Sequence, residues 1–176
     1  ITDEEHKNQV EEFANDSTKI LVFEELREKS INENLLINTR KKIIDTDVLY
    51  ILFTSGSTGT PKGVTVAHKS LIAYTEWVSS EFSMTEEDII GNQTPFYFSM
   101  STLDIYQTIR NGATMYIISK QLFSFPIRLL EYIHEKQINF IYWVPSALCL
   151  PVNFRAMGKR DISCLKTILF AGEVMP

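Results

Sequence analysis

Residues 54 to 63 read Thr54-Ser55-Gly56-Ser57-Thr58-Gly59-Thr60-Pro61-Lys62-Gly63, and they follow directly on the apolar run Val48-Leu49-Tyr50-Ile51-Leu52-Phe53. Ten residues thus hold three glycines, five hydroxyl side chains and one lysine. Glycine reaches positive φ at little cost and lets backbone approach an anion closely. Successive N–H groups then form a concave nest, hydroxyls add neutral donors and Lys62 adds a point charge. This is the composition of a loop that handles phosphate at the end of a buried strand.

The Walker A loop, G-x-x-x-x-G-K-[ST] opening a helix, does not fit. Gly56 and Gly59 are three apart, and Pro61, which has no N–H to donate, separates Thr60 from Lys62. Gly63-Val64-Thr65-Val66 then reads as a strand. The chain therefore runs strand, loop, strand, and a P-loop NTPase is disfavoured. A Ser/Gly linker is a poorer reading, because linkers seldom sit flush between two β-type runs.

The string S-G-S-T-G-T-P-K-G-V resembles the phosphate-loop signature of adenylate-forming enzymes: acyl-CoA synthetases, luciferases and the adenylation domains of peptide synthetases. Further segments follow in that family's order. They are Pro95-Phe96-Tyr97-Phe98-Ser99-Met100-Ser101-Thr102-Leu103-Asp104-Ile105-Tyr106, then Gly112-Ala113-Thr114, Trp143-Val144-Pro145-Ser146 and Ala171-Gly172-Glu173. The resemblance runs from about Asp47 to Pro176 and is vague before that. Within the family the look is nearest to D-alanine–carrier-protein ligases and amino-acid adenylation domains. It implies a fragment, residues 1–176, of a large AMP-binding domain: a poorly matched leading segment over 1–46, the phosphate loop and acyl pocket over 47–176, and no C-terminal domain.

The family reaction joins a carboxylate to the α-phosphorus of ATP, releasing pyrophosphate, and then passes the acyl group to a thiol of phosphopantetheine or coenzyme A. The resemblance assigns Thr54, Ser55, Gly56, Ser57, Thr58, Gly59 and Lys62 to the triphosphate, with Thr58 and Lys62 as catalytic residues. Gly172 and Glu173 fall where relatives begin the adenine-binding wall. Ser99, Met100, Leu103, Trp143, Leu169 and Ala171 match acyl-pocket positions, although plain core packing explains any single one of the apolar residues as well. A large Trp143 pointing inward implies a short pocket and a small acid. Phe96 and Tyr97 are expected near the pocket mouth. The implied cofactors are ATP and magnesium, the latter held mainly through phosphate oxygens, with its protein ligand in a later motif outside these residues. As cut, the fragment by itself is expected to be inactive.

Amino-acid-activating relatives carry an aspartate after the phenylalanine of the acid-binding segment, paired with the substrate ammonium; Ser99 stands there instead. A hydroxyl cannot supply that ion pair, and an ammonium left uncompensated in a partly buried pocket costs several kcal/mol. Two readings stay open. The acid lacks an α-amino group, or Asp104, one helical turn on, takes the amine. Against the second stands the ordinary role of a polar residue near a helix start, which is to serve the fold.

Composition narrows the partners. A formal charge of −5 and a pI near 5.3, without a basic patch, argue against nucleic acid. No apolar run reaches the ~18 residues of a membrane span, and nothing reads as a signal peptide. Cys149 and Cys164 lie on apolar segments and read as reduced core residues, so a cytoplasmic setting is expected. His6 and His134 lack partners at metal-ligand spacing, so no protein metal site is expected. The partners are then a small carboxylic or amino acid and a carrier protein bearing phosphopantetheine, or coenzyme A; a non-catalytic nucleotide- or acid-binding relative, or an acyl- or aryl-CoA ligase, is the alternative.

Strand-like runs at Ile20–Phe23, 48–54, 89–90, 113–119, 138–144 and 165–171 alternate with helical spacing over 68–82, 101–110 and 126–136 and a short helix from Pro145. Residues 1–19 allow a surface helix, and 30–46 read as a loop with the basic cluster Arg40-Lys41-Lys42. The alternation predicts an α/β fold with a mainly parallel sheet covered by helices.

Overall fold

The computed structural model describes residues 1–54 and 59–176, and the chain divides into two compact units, 1–44 and 45–176. The first unit carries α1 (Lys7–Phe13), α2 (Phe23–Arg27) and α3 (Glu33–Arg40). Only Val22 of the expected strand at 20–23 pairs, in an isolated parallel bridge with Thr2, and Phe23 already begins α2. The expected loop over 30–46 contains α3 instead. Its signal was in the sequence: Asn32 caps the helix by accepting from the Leu35 N–H at 2.9 Å. Arg40 lies in its last turn, where a cation complements the helix dipole.

The second unit opens with an antiparallel hairpin, β1 (Val48–Thr54) and β2 (Lys62–Ala67), paired from Val48 opposite Ala67 to Thr54 opposite Lys62. The strand–loop–strand order holds, but β1 is not a buried strand. Val48, Ile51 and Phe53 are exposed, because the two strands pair only with each other and, among the described residues of this unit, no second layer covers that face. Helix α4 (His68–Glu81) follows.

Four strands form the main sheet: β3 (Ile89–Asn92), β4 (Thr114–Ile117), β5 (Phe140–Trp143) and β6 (Thr167–Phe170). All are parallel, in the order β4-β3-β5-β6. The crossovers are α5 (Ser101–Asn111), α6 (Pro126–Glu135) and α7 (Pro145–Asn153). The path from β3 to β4 and the path from β4 to β5 run in opposite directions across the sheet. Right-handed crossovers therefore put α5 and α6 on opposite faces, and two cores result. Val78, Ile90, Leu103 and Phe140 pack between α4, α5 and one face of the sheet. Leu129, Ile133, Ile141 and Trp143 pack on the α6 face.

Two glycines are required by this geometry. A Cβ on Gly91, in the second position from the end of β3, would stand 2.9 Å from Ile138 Cγ2 and 3.1 Å from Ile141 Cγ2. Gly112 ends α5 at φ +70°, the left-handed cap that stops a helix. Cys149 and Cys164 are both free.

Candidate functional site

In a doubly wound sheet, ligands bind beyond the carboxyl ends of the strands, where strand order reverses. Here that place is the edge beyond β3 and β5. The segments singled out in the sequence gather around it. The turn from Pro95 to Met100 leaves β3, Val144 to Ser146 leave β5, and Ala171 to Glu173 leave β6.

Thr54 and Lys62 close the mouth of the hairpin as the last pair of its ladder, both exposed. Gly59 sits at φ +80° with open space where a Cβ would be, so a left-handed residue is accommodated without crowding. Ser55, Gly56, Ser57 and Thr58 lie outside the described residues.

Ser99 and Met100 precede the first turn of α5. Backbone bonds from Phe98 N to Pro95 O (3.0 Å) and from Ser101 N to Phe98 O (3.1 Å) form the turn that carries them. Ser101 Oγ donates to Phe98 O at 2.8 Å and tightens it. A cavity of about 280 Å³ opens beside them, lined by Tyr50 and Val66 of the hairpin, Ser70 and Tyr74 of α4, Ser99, Met100 and Tyr142. Tyr74 and Tyr142 also line a neighbouring cavity of about 400 Å³, which holds Leu103 and Leu169. The structure thus distributes Ser99, Met100, Leu103 and Leu169 along one stretch of space between α4, α5 and the sheet.

Trp143 is not on that face. Adjacent strand residues point to opposite sides, and the expected pocket tryptophan lies in the α6 core. Its ring sits 5.1 Å from Phe123, and its indole Nε1 donates to Gly91 O at 2.8 Å. Tyr142, its neighbour, faces Ser99 instead. The inference of a short pocket from a bulky Trp143 falls with this placement. Tyr142 and Tyr74 line the cavity beside Ser99 and are not among the residues that the motifs pointed to. For Tyr142 the signal was one position away, in an all-apolar strand whose two faces look alike.

Asp104 is fully buried. Its Oδ2 accepts from Asn92 Nδ2 at 2.7 Å, and the same amide donates to Thr94 O at 3.1 Å. Its Oδ1 has no hydrogen-bond partner among the described residues. Burial pushes the carboxyl up to about 7, against the opposing pull of the Asn92 hydrogen bond. Burial, reinforced by Tyr142, Asp104 and Tyr50, pushes the Tyr74 phenol up to about 12. The Tyr142 phenol is raised by burial and then by Asp104. The phenols facing the cavity are therefore neutral donors at ordinary pH.

Gly172 turns at φ +89°, and a Cβ there would lie 3.7 Å from Met100 Sδ and 3.6 Å from Val144 Cγ1. The end of β6 and the turn that carries Ser99 and Met100 are thereby brought together, with half-buried Ala171 following β6. Glu173 is engaged by α7: its carboxylate accepts from the Ser146 N–H at 2.8 Å and from Ser146 Oγ at 3.0 Å. Phe96 and Tyr97 line a cavity of about 220 Å³ with Tyr50, Phe98 and Ser99, and a further one of about 630 Å³ at the ends of β3 and β4, with Asn92, Thr94 and Lys120. Among the described residues, no cluster of three or more His, Cys, Asp or Glu is placed to hold a metal ion. No described helix is long and apolar enough to cross a membrane.

The chain is similar to proteins of known activity and structure. The chain is 32% identical over 139 residues to a D-alanine--D-alanyl carrier protein ligase of Bacillus cytotoxicus, covering 79% of this chain and 28% of that protein. It is 34% identical over 130 residues to an L-proline--[L-prolyl-carrier protein] ligase of Pseudomonas fluorescens, covering 74% of this chain and 26% of that protein. The chain thus spans less than a third of the length of these relatives. The fold is also that of McyG A-PCP complexed with phenylalanyl-adenylate, at a TM-score of 0.75 and 21% identity, over 97% of this chain and 28% of that one. The AMP-binding enzyme family model matches residues 1–176 throughout, and the chain belongs to that family.

Proposed function

We propose that this chain forms part of an ATP-dependent ligase that activates a small carboxylic or amino acid as its acyl-adenylate and transfers it to the phosphopantetheine thiol of a carrier protein. One observation carries the reading. The cavity beside Ser99 is walled at once by the hairpin that bears the glycine-rich loop (Tyr50, Val66) and by the acid-binding turn (Ser99, Met100). An acid held there lies beside the two strands that lead to and from the loop whose composition suits the nucleotide's phosphates. The ligase names of the relatives support the same reading.

In this reading Thr54, Ser55, Gly56, Ser57, Thr58, Gly59 and Lys62 hold the triphosphate, and ATP supplies the activated phosphorus. Lys62 and the loop's N–H groups offset the charge that builds on the leaving pyrophosphate. Magnesium enters with the phosphate oxygens. Gly172, at positive φ beside Met100, gives the adenylate a close backbone approach. Leu103 and Leu169 receive the acyl tail beyond Tyr74 and Tyr142. Among the described residues the cavity's polar lining, Ser70, Ser99, Thr102 and three tyrosines, carries no carboxylate, which favours an acid without an α-ammonium. The protein then works in the cytoplasm, where ATP and carrier proteins meet; coenzyme A is the other candidate acceptor.

Carboxylate-dependent ATP–pyrophosphate exchange by the full-length protein tests this, using amino acids paired with their hydroxy, keto and des-amino analogues. Exchange with the des-amino members of the pairs is the expected result. Exchange with amino acids alone would overturn the reading of Ser99, and exchange with no acid at all would sink the ligase reading.

A further inference from the structure

Helix α5 buries a polar stripe beside its core residue Leu103. Ser101, Asp104 and Gln107 are all buried, at three-residue spacing, and Asn111 continues the row one turn on. Each is tied to a different neighbour. Ser101 Oγ holds Phe98 O at 2.8 Å. Asp104 Oδ2 holds Asn92 at the end of β3. Gln107 Nε2 donates to Thr75 O of α4 at 2.8 Å. Asn111 Oδ1 accepts from Ser79 Oγ of α4 at 2.8 Å, while its amide donates to Gln107 Oε1 at 2.8 Å. Buried polar groups of this kind specify one register, because any slip leaves them unpaired.

We propose that Asp104 and Asn92 form a positioning pair that sets the acid-binding turn, and that Asp104 does not itself bind a substrate ammonium; this rests on the ligase reading above. The Asn92 amide is shared between Asp104 Oδ2 and Thr94 O, so one side chain joins the end of β3, the start of the turn and the first coil of α5. Ser99 and Met100 lie between these anchors. Asp104 is fully buried and is not among the residues lining the cavity beside Ser99, so an acid seated there meets Ser99 and Tyr142, not this carboxyl.

The pair is tested with Asp104→Asn, Asp104→Ala and Asn92→Ser in the full-length protein. Asparagine keeps an oxygen that accepts from Asn92, whereas alanine and serine break the link. Exchange kinetics should show KM for the acid raised about tenfold or more in Asp104→Ala and Asn92→Ser, with KM for ATP within about twofold, as expected when a reacting group is slightly misplaced. Asp104→Asn should stay within about threefold of the wild type. Amide hydrogen exchange should quicken over residues 94–101 in the link-breaking variants and not over α6. If Asp104→Asn abolishes exchange with an amino acid as fully as Asp104→Ala, the carboxylate is the ammonium ligand and the proposal falls. It falls also if both KM values rise together or if 94–101 keeps its protection. A wild type that exchanges with no acid removes the ligase reading, while hydrogen exchange in the three variants still decides the pair. Should Asp104→Ala fail to fold, Asn92→Ser carries the same comparison.

Discussion

The Glu173 carboxylate caps α7 by accepting from both the backbone N–H and the hydroxyl of Ser146, at 2.8 and 3.0 Å. The residue lies at the helix N-terminus after Pro145, where free N–H groups and the dipole favour an anion. The cap also holds the chain beyond β6 against the helix that follows β5. Replacing Glu173 by alanine is expected to cost about 1 kcal/mol in chemical denaturation, with the glutamine variant losing less because it keeps an acceptor oxygen.

Lys62 stands exposed at the hairpin mouth, paired in the ladder with Thr54. A Lys62→Ala change should leave stability within about 0.5 kcal/mol, as exposed substitutions do. In the full-length protein it should lower kcat/KM for ATP by roughly a hundredfold, the scale of losing one donor to a developing charge. Pyrophosphate exchange and a denaturation curve on the same preparation check both halves.

The neighbours Tyr142 and Trp143 should separate cleanly. Trp143→Phe removes the donor to Gly91 O in the core and should destabilise by about 1–3 kcal/mol. It should leave the acid preference unchanged. Tyr142→Phe should change stability by less than about 1 kcal/mol, yet shift the ranking of acids by roughly tenfold through the lost hydroxyl. Thermal melts and an acid panel for the two variants distinguish these outcomes.

Asp104 makes stability depend on pH in a definite direction. Its carboxyl is raised from 3.8 to about 7 in the fold, first by burial. The unfolded chain therefore loses this proton at lower pH than the folded one. The group's contribution is complete below about pH 4 and is lost as pH rises through about 7. Tyr74 of α4 and Tyr142 of β5, whose phenols are raised in the fold, keep their protons throughout this window, and Asn92 of β3 does not titrate. Unfolding free energy measured from pH 4 to 8 should fall by an amount on the order of a few kcal/mol through this group. The Asp104→Asn protein should lack that part of the slope.

Local chemistry reads directly from the chain. The strand–loop–strand around residues 54 to 63 follows from β-type runs flanking glycines, with Gly63-Val64-Thr65-Val66 continuing as a strand. Helices α4, α5 and α6 lie where the expected spacing put them. The parallel sheet follows from alternating strands and crossovers. Helix α3 escaped because its apolar residues, Leu35 at 63% and Ile37 at 46% exposed, form no buried stripe of their own, and only the Asn32 cap marked it.

What the sequence determined by itself was therefore the hairpin strands on either side of the glycine-rich segment, the order of the main elements and the family. The tertiary structure alone decided which residues face the site. Phe140-Ile141-Tyr142-Trp143 is apolar on both sides because β5 is covered by helices on both faces, so no periodicity tells Tyr142 from Trp143. The polar stripe of α5 has no partner near it in the sequence that would mark it as buried. It is buried because Asn92, Thr75 and Ser79, distant along the chain, supply its hydrogen bonds once β3 and α4 pack against it.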